Sequence, residues 1–281
     1  MFLVKNLRAS RVNLLMNDFA AGLPSPLAFL GLAAAIAPAL GQERWARRSP
    51  ATRRWEIGVL PILHRVDLSE GRTKAELSND AGLFKPVEIP EDLAGSVTVS
   101  LLLDIPDGAD QHSIGSALLG RRIAGGPIHN AEIDVSDVVA NGSAFRSVDR
   151  GYAMIRTQPP KSSVVATGQI EHLATLEAEL NVDPGPGWHV PVAVGHRLLE
   201  DPATVPKRAN TRDPTIPHVF AEPVVGVAEL VSVRNKRLTS LDDAGLLNLF
   251  WRWTAEGEWI VGHPNYHPDR RIAAHKEHAH G

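Results

Sequence analysis

Alternating apolar and polar residues along much of the chain predict β-strands that are separated by polar turns. Stretches with unbroken apolar or β-branched residues, such as 96–105, predict strands that are buried on both faces. Gly and Pro are frequent, with 23 and 21 residues, and mark many of the turns. The predicted strands cover residues 2–8, 55–68, 96–105, 128–139, 151–157, 188–199, 223–233 and 258–261.

Residues 27–40 are apolar around the whole helix axis, which predicts a buried helix. Ser25 is suited to cap the start of this helix, and Pro26 is suited to its first position because its backbone angle is already helical. Pro38 and Gly41 end it. Further helices are predicted at residues 111–123, at residues 168–180, and from Ser240 or Asp242 to about Trp253.

The order of these elements lacks the regular strand–helix alternation of a doubly wound sheet, and neither GxGxxG nor a P-loop is present. We therefore predict an α+β fold, an antiparallel sheet with helices on one face. Residues 1–262 are predicted to form one domain, since no clear linker divides them. Polar, Gly- and Pro-rich residues at about 69–95 predict an insertion, and 128–157 a second. Residues 263–281 are predicted to be a His-rich mobile tail.

Composition limits the functional classes. The chain has 281 residues, a formal net charge of −3 and no cysteine. The missing cysteines exclude disulfides, a cysteine nucleophile and thiolate metal sites, and they suit a reducing cytoplasm, where we place the protein. A negative net charge argues against a simple nucleic-acid coat, so any nucleic-acid site must come from local clusters of positive charge.

The apolar segment 27–40 is too short to span a bilayer, which needs about 20 apolar residues. The residues before it include Asp18 and read as strand and loop, unlike the short basic leader of a signal peptide. We predict a buried helix and no membrane partner. A periplasmic binding module stays open as an alternative that rests on this segment alone.

Histidine is abundant, with 12 residues, so metal binding has to be weighed. His263 and His267 have the spacing of zinc ligands on one helical face, but Pro264 and Pro268 disfavour that helix. The other histidines of the tail favour a solvated segment. We predict no metal site and no cofactor.

The sequence has no GxSxG, HExxH or paired-carboxylate motif, and we predict that the protein is not an enzyme. His129 and His196 lie beside predicted strand ends, where a histidine could act as the general base of a metal-independent RNA endonuclease. Single histidines in such places are more often structural. The endonuclease stays open as an alternative.

Three clusters of Arg and Lys in or beside predicted loops are candidate RNA contacts, because arginine binds phosphate through two hydrogen bonds and stacks on bases. They comprise residues 44–54, 207–212 and 234–237. Trp45, Trp55 and Trp188 are candidate stacking platforms. If these clusters bind one strand of RNA, they must converge in a single groove of the folded protein.

Several motifs resemble the Csy-two family, the Cas-five-type subunit of type I-F CRISPR surveillance complexes. The motifs are GLPSPLAFLG at 22–31, RIAGGPI at 122–128, VPVAVG at 190–195, TRDP at 211–214 with Pro217, Phe220 and Glu222, then Glu229 and Trp251-Arg252. They are scattered from the N-terminus to about residue 261. Residues 42–95 and the tail match nothing in the family's pattern.

The resemblance implies a modified RRM-like (ferredoxin-like) fold with a protruding thumb hairpin. It implies a non-catalytic subunit of a Cascade-like antiviral ribonucleoprotein. This subunit binds the 5′ handle of the guide RNA and bridges the large subunit and the repeated backbone subunit. Contact with target double-stranded DNA is left open, as is guide-RNA processing by this chain, since Cas-five-type proteins of another subtype have that activity. The predicted RNA-binding residues are Gly22, Ser25, Arg47, Arg48, Arg53, Lys207, Arg208, Arg212, Arg234, Arg237 and Arg252.

Overall fold

A nine-stranded antiparallel sheet forms the body of the protein. The computed structural model describes residues 1–17, 20–41, 57–69, 77–80, 83–86, 93–105, 109–156, 187–206, 208 and 217–262. The predicted α+β class is confirmed in these residues, which combine the large sheet with few helices.

The elements follow in chain order. The first part of the chain contains β1 (Phe2–Asn13), β2 (Leu15–Asn17), β3 (Ala20–Ala21), α1 (Pro26–Ile36), a 3-10 helix (Ala37–Leu40), β4 (Gly58–Ser69), β5 (Leu77–Asp80), β6 (Leu83–Pro86), β7 (Ala94–Asp104), α2 (Gln111–Leu118), β8 (Arg122–Ile123), β9 (Gly126–Pro127) and β10 (Asp134–Asp137). The remainder contains a second 3-10 helix (Gly142–Ser147), β11 (Tyr152–Arg156), β12 (Gly187–Leu198), β13 (Ala221–Ser232), α3 (Lys236–Thr239), α4 (Asp243–Leu247), β14 (Trp253–Glu256) and β15 (Trp259–Gly262).

The strands of the main sheet lie in the order β10-β1-β7-β4-β11-β13-β12-β15-β14. In the first half, the main elements follow the sequence β1, α1, β4, β7, α2, β10, and the first strand lies between the third and the fourth. The hairpin of β5 and β6 is inserted between β4 and β7, at the end of the sheet where Ser69 pairs with Ala94. Residues 128–157, predicted as a second insertion, contain β10 and β11 of the main sheet.

The second half of the sheet closes back on β4. Trp251, just before β14, forms an antiparallel bridge with Val59 of β4, through backbone hydrogen bonds of 2.8 and 3.0 Å. The adjoining part of β4 pairs with β11 instead, at Ile62 and Leu63. Pro61 lies between Val59 and Ile62, at the fork where this edge of β4 changes its partner. Backbone N–H groups two residues apart on a strand point to the same edge. The N–H donor that proline lacks would therefore have pointed towards this fork, as that of Val59 does.

Side chains pack on both faces of the sheet, which makes the prediction of helices on one face wrong. On the first face, α1 and α2 cover alternate residues of β1, β4 and β7, such as Val59, Val99 and Leu101. On the second face, a smaller core joins Leu60 and Leu102 to the 3-10 helix at 142–147, α3 and α4. The sequence predicted the start of α4 at Asp242 but missed α3 and the 3-10 helix, because helices this short have too few turns to show a periodic pattern.

Capping residues set the starts of the two longer helices, and the predicted cap at Ser25 is confirmed. Ser25 caps α1, and the helix is buried through Phe29, Leu30 and Ile36. Asp110 caps α2 in a capping box with Ser113, and the backbone N–H of Ser113 lowers the pKa of the Asp110 carboxyl.

Some predicted boundaries are wrong. The helix predicted at 111–123 ends at Leu118, and the strand predicted at 128–139 is limited to Asp134–Asp137. The helix predicted from Ser240 or Asp242 to about Trp253 begins after the cap at Asp242 as α4, but it ends at Leu247 and is followed by β14. The predicted helix at 168–180 and the His-rich tail lie outside the described residues. Within the described ranges, no helix has the length and apolar content required to cross a membrane.

Candidate nucleic-acid interface

The loop before α1 holds the first two predicted RNA contacts. Gly22 adopts a φ of +98°, a left-handed conformation that favours glycine, and its Cα faces open space. The Ser25 hydroxyl accepts a hydrogen bond from the Leu27 backbone N–H at 3.1 Å and donates one to the Ala193 carbonyl at 3.1 Å. Ser25 thereby fixes the start of α1 against β12.

Arg208 is held by protein groups at the beginning of β13. Its guanidinium contacts the Glu200 carboxylate, with one N–O distance of 2.7 Å, and Nε donates to the His218 carbonyl at 3.0 Å. It also lies 4.1 Å from the ring centroid of Phe220. These contacts stabilise the loop between β12 and β13 and use the planar donor geometry of the side chain.

Arg234 and Arg237 follow the other end of β13, and both donate to protein oxygens. Arg234 donates to the Val148 carbonyl at 2.7 Å and to two further carbonyls of the 3-10 helix at 142–147. Arg237 binds the buried carboxylate of Glu229 through two hydrogen bonds of 2.6 and 2.9 Å. That hydrogen-bonded ion pair raises the pKa of Arg237.

Arg252 lies inside the fold, with 14% of its side chain exposed. Its guanidinium forms an ion pair with Asp104 at the end of β7 and packs over Gly58, where a Cβ would come within 2.6 Å of it. The pair therefore ties β4 and β7 to the segment that leads into β14.

The described arginines of the predicted clusters do not converge. Arg208 lies at the start of β13 and Arg237 beyond its end, and a strand of this length separates them by about 35 Å at about 3.3 Å per residue. Arg47, Arg48, Arg53, Lys207 and Arg212 lie outside the described residues. RNA contact by the whole predicted set stays a prediction, although the described members also have clear structural partners.

Replacing Arg237 by alanine tests the structural role. Glu229 is buried with 7% of its side chain exposed. Losing its partner should therefore lower the free energy of unfolding by about 3 kcal/mol, because a buried carboxylate is left without compensation. Chemical denaturation measures this. Lys236→Ala, on the neighbouring exposed residue, is the control and should change stability by less than about 0.5 kcal/mol. An equal, small effect of both variants would contradict the structural role.

A row of polar side chains on the second face of the sheet was missed. Arg8 of β1 lies directly opposite Thr98 of β7, and Thr98 lies directly opposite Arg65 of β4. One step along, Ser96 lies opposite Asp67. Sequence reasoning sought runs of basic residues in loops, whereas a sheet brings together single residues from distant strands. The available signal in the sequence was that each residue of the row is adjacent to a buried or half-buried apolar residue of its own strand. Arg8 follows Leu7, Thr98 follows Val97, and Arg65 precedes Val66.

Next to this row, a hydrogen-bonded network links three strands. The His64 ring is 2.8 Å from the Arg150 carbonyl through Nδ1 and 2.7 Å from the Ser100 hydroxyl through Nε2. A carbonyl only accepts, so Nδ1 carries the proton. In the neutral ring, Nε2 then accepts from Ser100, whose oxygen also accepts from the Asn6 N–H at 3.0 Å. Ser100 is buried, whereas His64 is half-buried.

The histidines of the endonuclease alternative occupy different settings. His129 is exposed, and its Nε2 lies 2.6 Å from the Ser10 hydroxyl. His196 is exposed on β12, opposite Ile260 of β15. Among the described residues, no group of three or more His, Asp or Glu side chains could hold a metal ion.

Trp188 is placed as an exposed aromatic platform. It is 59% exposed and stacks on Tyr152, with ring centroids 4.9 Å apart. The other two tryptophans considered for base stacking, Trp45 and Trp55, lie outside the described residues.

Comparison with known families matches part of the chain to a family of CRISPR-associated proteins. The particular family is described as CRISPR-associated protein (Cas_Csy2), and its sequence model matches residues 152–260. These residues contain β11 to β14 and the arginines around β13. The predicted resemblance to this family is confirmed over that stretch. No curated protein matches the chain in a sequence search.

Proposed function

We propose that this protein is a non-catalytic subunit of a type I-F CRISPR surveillance ribonucleoprotein. In this proposal it binds the 5′ handle of the guide RNA and bridges the large and repeated backbone subunits in the cytoplasm during antiviral DNA targeting. The family match over residues 152–260 carries the proposal.

The topology of the first half supports an RRM-like fold. The element order β1, α1, β4, β7, α2, β10 with the strand order β10-β1-β7-β4 is that of a ferredoxin-like split βαβ unit. RNA-recognition modules of this class use the sheet face that their helices leave open. The β5–β6 hairpin, inserted between the second and third strands of this unit, is our candidate for the thumb.

The loop at Gly22–Pro26 is our candidate for a phosphate contact of the handle. It lies at the start of α1, where the helix dipole favours negative charge. The first N–H groups of the helix, on Leu27 and Ala28, donate to Ser25, so the dipole rather than a free helix donor supports this contact. The absence of a Cβ at Gly22 leaves room for close approach of a backbone. The Ser25 hydroxyl is already paired, so its proposed part is to hold this geometry.

Two observations support the non-catalytic role in this proposal. Phosphate binding by arginines requires no proton transfer, and the serine of the serine–histidine pair at Ser100 and His64 is buried. His129 and His196 are exposed, and therefore are the residues that an endonuclease test must include.

Co-purification tests the proposal. We expect the affinity-purified protein, expressed with its complex, to carry a discrete population of short RNAs with a common 5′ end. Sequencing of the bound RNA measures this. The protein expressed without the other subunits, incubated with precursor repeat RNA in chelator, should leave that RNA uncut.

Two results would contradict the proposal in different ways. RNA of random sequence and length, or none, would remove handle binding. Specific metal-independent cleavage that disappears in His129→Ala or His196→Ala would replace a structural subunit with a processing endonuclease.

A further inference from the structure

We propose that the polar row on the second face of the sheet binds the phosphodiester backbone of single-stranded RNA. We call this surface the polar platform and define it as Arg8, Arg65, Asp67, Ser96 and Thr98. The inference rests on the proposed function in that the ligand is RNA, and it adds a surface that is separate from the residues discussed above.

Strand register places the platform residues side by side. Arg8, Thr98 and Arg65 form one row across β1, β7 and β4, and residues directly opposite each other share a face. With strands about 4.8 Å apart, the Cα atoms of the two arginines are about 10 Å apart. Two long guanidinium side chains at that separation can reach phosphates of one extended strand.

Along the three strands, the residues on this face change from apolar and buried to polar and more exposed. Towards one end, Leu3, Leu60 and Leu102 are fully buried beneath the 3-10 helix at 142–147, α3 and α4. Beyond Ser100, the positions of β7 on this face are Thr98, half-buried, and Ser96, exposed. Within the described part of the chain, no element packs an apolar residue on this section, and the strands continue through it.

Charge on the platform favours an anion. Arg8 is exposed, and among the described residues its guanidinium makes no hydrogen bond or ion pair. Arg65 is 73% exposed and is paired at 2.6 Å with Asp67, a hydrogen bond that raises the pKa of Arg65. Asp67 offsets one positive charge, which leaves a net positive platform with two hydroxyl groups as further donors.

The residue types of the platform favour binding of phosphate groups over stacking on bases. The platform contains no aromatic side chain, whereas sequence-specific RNA modules of this topology place aromatic rings on the sheet to stack bases. Arginine and hydroxyl donors bind phosphate and sugar oxygens, which fix the course of a strand without reading its sequence. The platform therefore is suited to hold a strand that is recognised elsewhere.

The test measures binding of a fluorescent oligo(U) to the full-length protein over a range of salt concentrations. In the double variant Arg8→Gln/Arg65→Gln, we expect the Kd to rise about tenfold at 0.1 M salt. The slope of log Kd against log salt should fall by about 1.4, since each lost phosphate contact on a single strand contributes about 0.7.

Two controls separate the platform from general charge and from unfolding. Arg197→Gln removes a half-exposed arginine that is paired with Glu222 and Glu258, and its Kd should stay within about twofold of the wild type. Arg8→Lys/Arg65→Lys keeps both charges and should restore most of the salt slope. All variants should melt at the wild-type temperature, because the replaced side chains are exposed or half-exposed.

An unchanged Kd and salt slope in the double glutamine variant, or a wild type that does not bind oligo(U), overturns the inference. Handle RNA that still co-purifies with that variant would leave the proposed function standing. Tighter binding of oligo(dT), lost in the same variant, would assign the platform to DNA and overturn the assignment to RNA.

Discussion

Replacing Trp251 by alanine should lower the free energy of unfolding by about 3–5 kcal/mol, among the largest effects of any single substitution. The side chain is fully buried in the larger core, and its indole N–H donates to the Met154 carbonyl at 2.8 Å. Truncation therefore leaves both a cavity and an unpaired carbonyl at the point where the sheet closes on β4. Urea unfolding followed by circular dichroism measures the loss.

Trp259→Ala is the matched control. Trp259 is 41% exposed on β15, and its ring is 5.5 Å from the Arg197 guanidinium. Removing it should cost about 1 kcal/mol or less, because little area is buried and no cavity forms. A comparable loss in both variants would show that closure of the sheet on β4 has no special role in stability.

Gly142→Ala is the second substitution with a large expected effect, about 3 kcal/mol of destabilisation. A Cβ at this position would meet the Leu238 carbonyl oxygen and would lie 2.6 and 2.7 Å from the Thr239 carbonyl carbon and oxygen. These are backbone atoms of α3, so relief requires the 3-10 helix at 142–147 to move off the helix. The melting temperature and the denaturation midpoint measure the effect.

The same change at Gly31 has the opposite expected sign. Gly31 lies in α1, and a Cβ there meets nothing within 4 Å. Alanine should stabilise the protein by about 0.5–1 kcal/mol, because it loses less backbone entropy in a helix than glycine does. Destabilisation at Gly31, or no effect at Gly142, would contradict the packing described for these two helices.

The sequence predicted the elements that have a strong local signal. The cap at Ser25, the apolar helix that follows it and the long strands of β7, β12 and β13 are found close to their predicted positions. The short α3 and α4 have fewer residues than two helical turns, so their residues show no periodicity. Their positions depend instead on tertiary packing over Phe145 and Val231.

The candidate site was harder to predict than the fold. A basic residue has the same appearance in a sequence whether it contacts solvent, RNA or a buried carboxylate. Arg237 and Arg252 have acidic partners that are distant in the chain or hidden by the fold, Glu229 and Asp104. Conversely, Arg8 and Arg65 lie on strands that are far apart in the chain and become neighbours only when β7 lies between them.

Pro61 at the fork of β4 has a consequence for the incomplete chain during synthesis. Until β11 and Trp251 emerge, one edge of β4 has no partner, and its apolar residues Val59–Leu63 resemble a template for intermolecular pairing. The missing donor at Pro61 lies on this edge, which weakens it as a docking strand for another chain. We therefore expect the proline to reduce aggregation of the unfinished protein at the place where its two halves later meet.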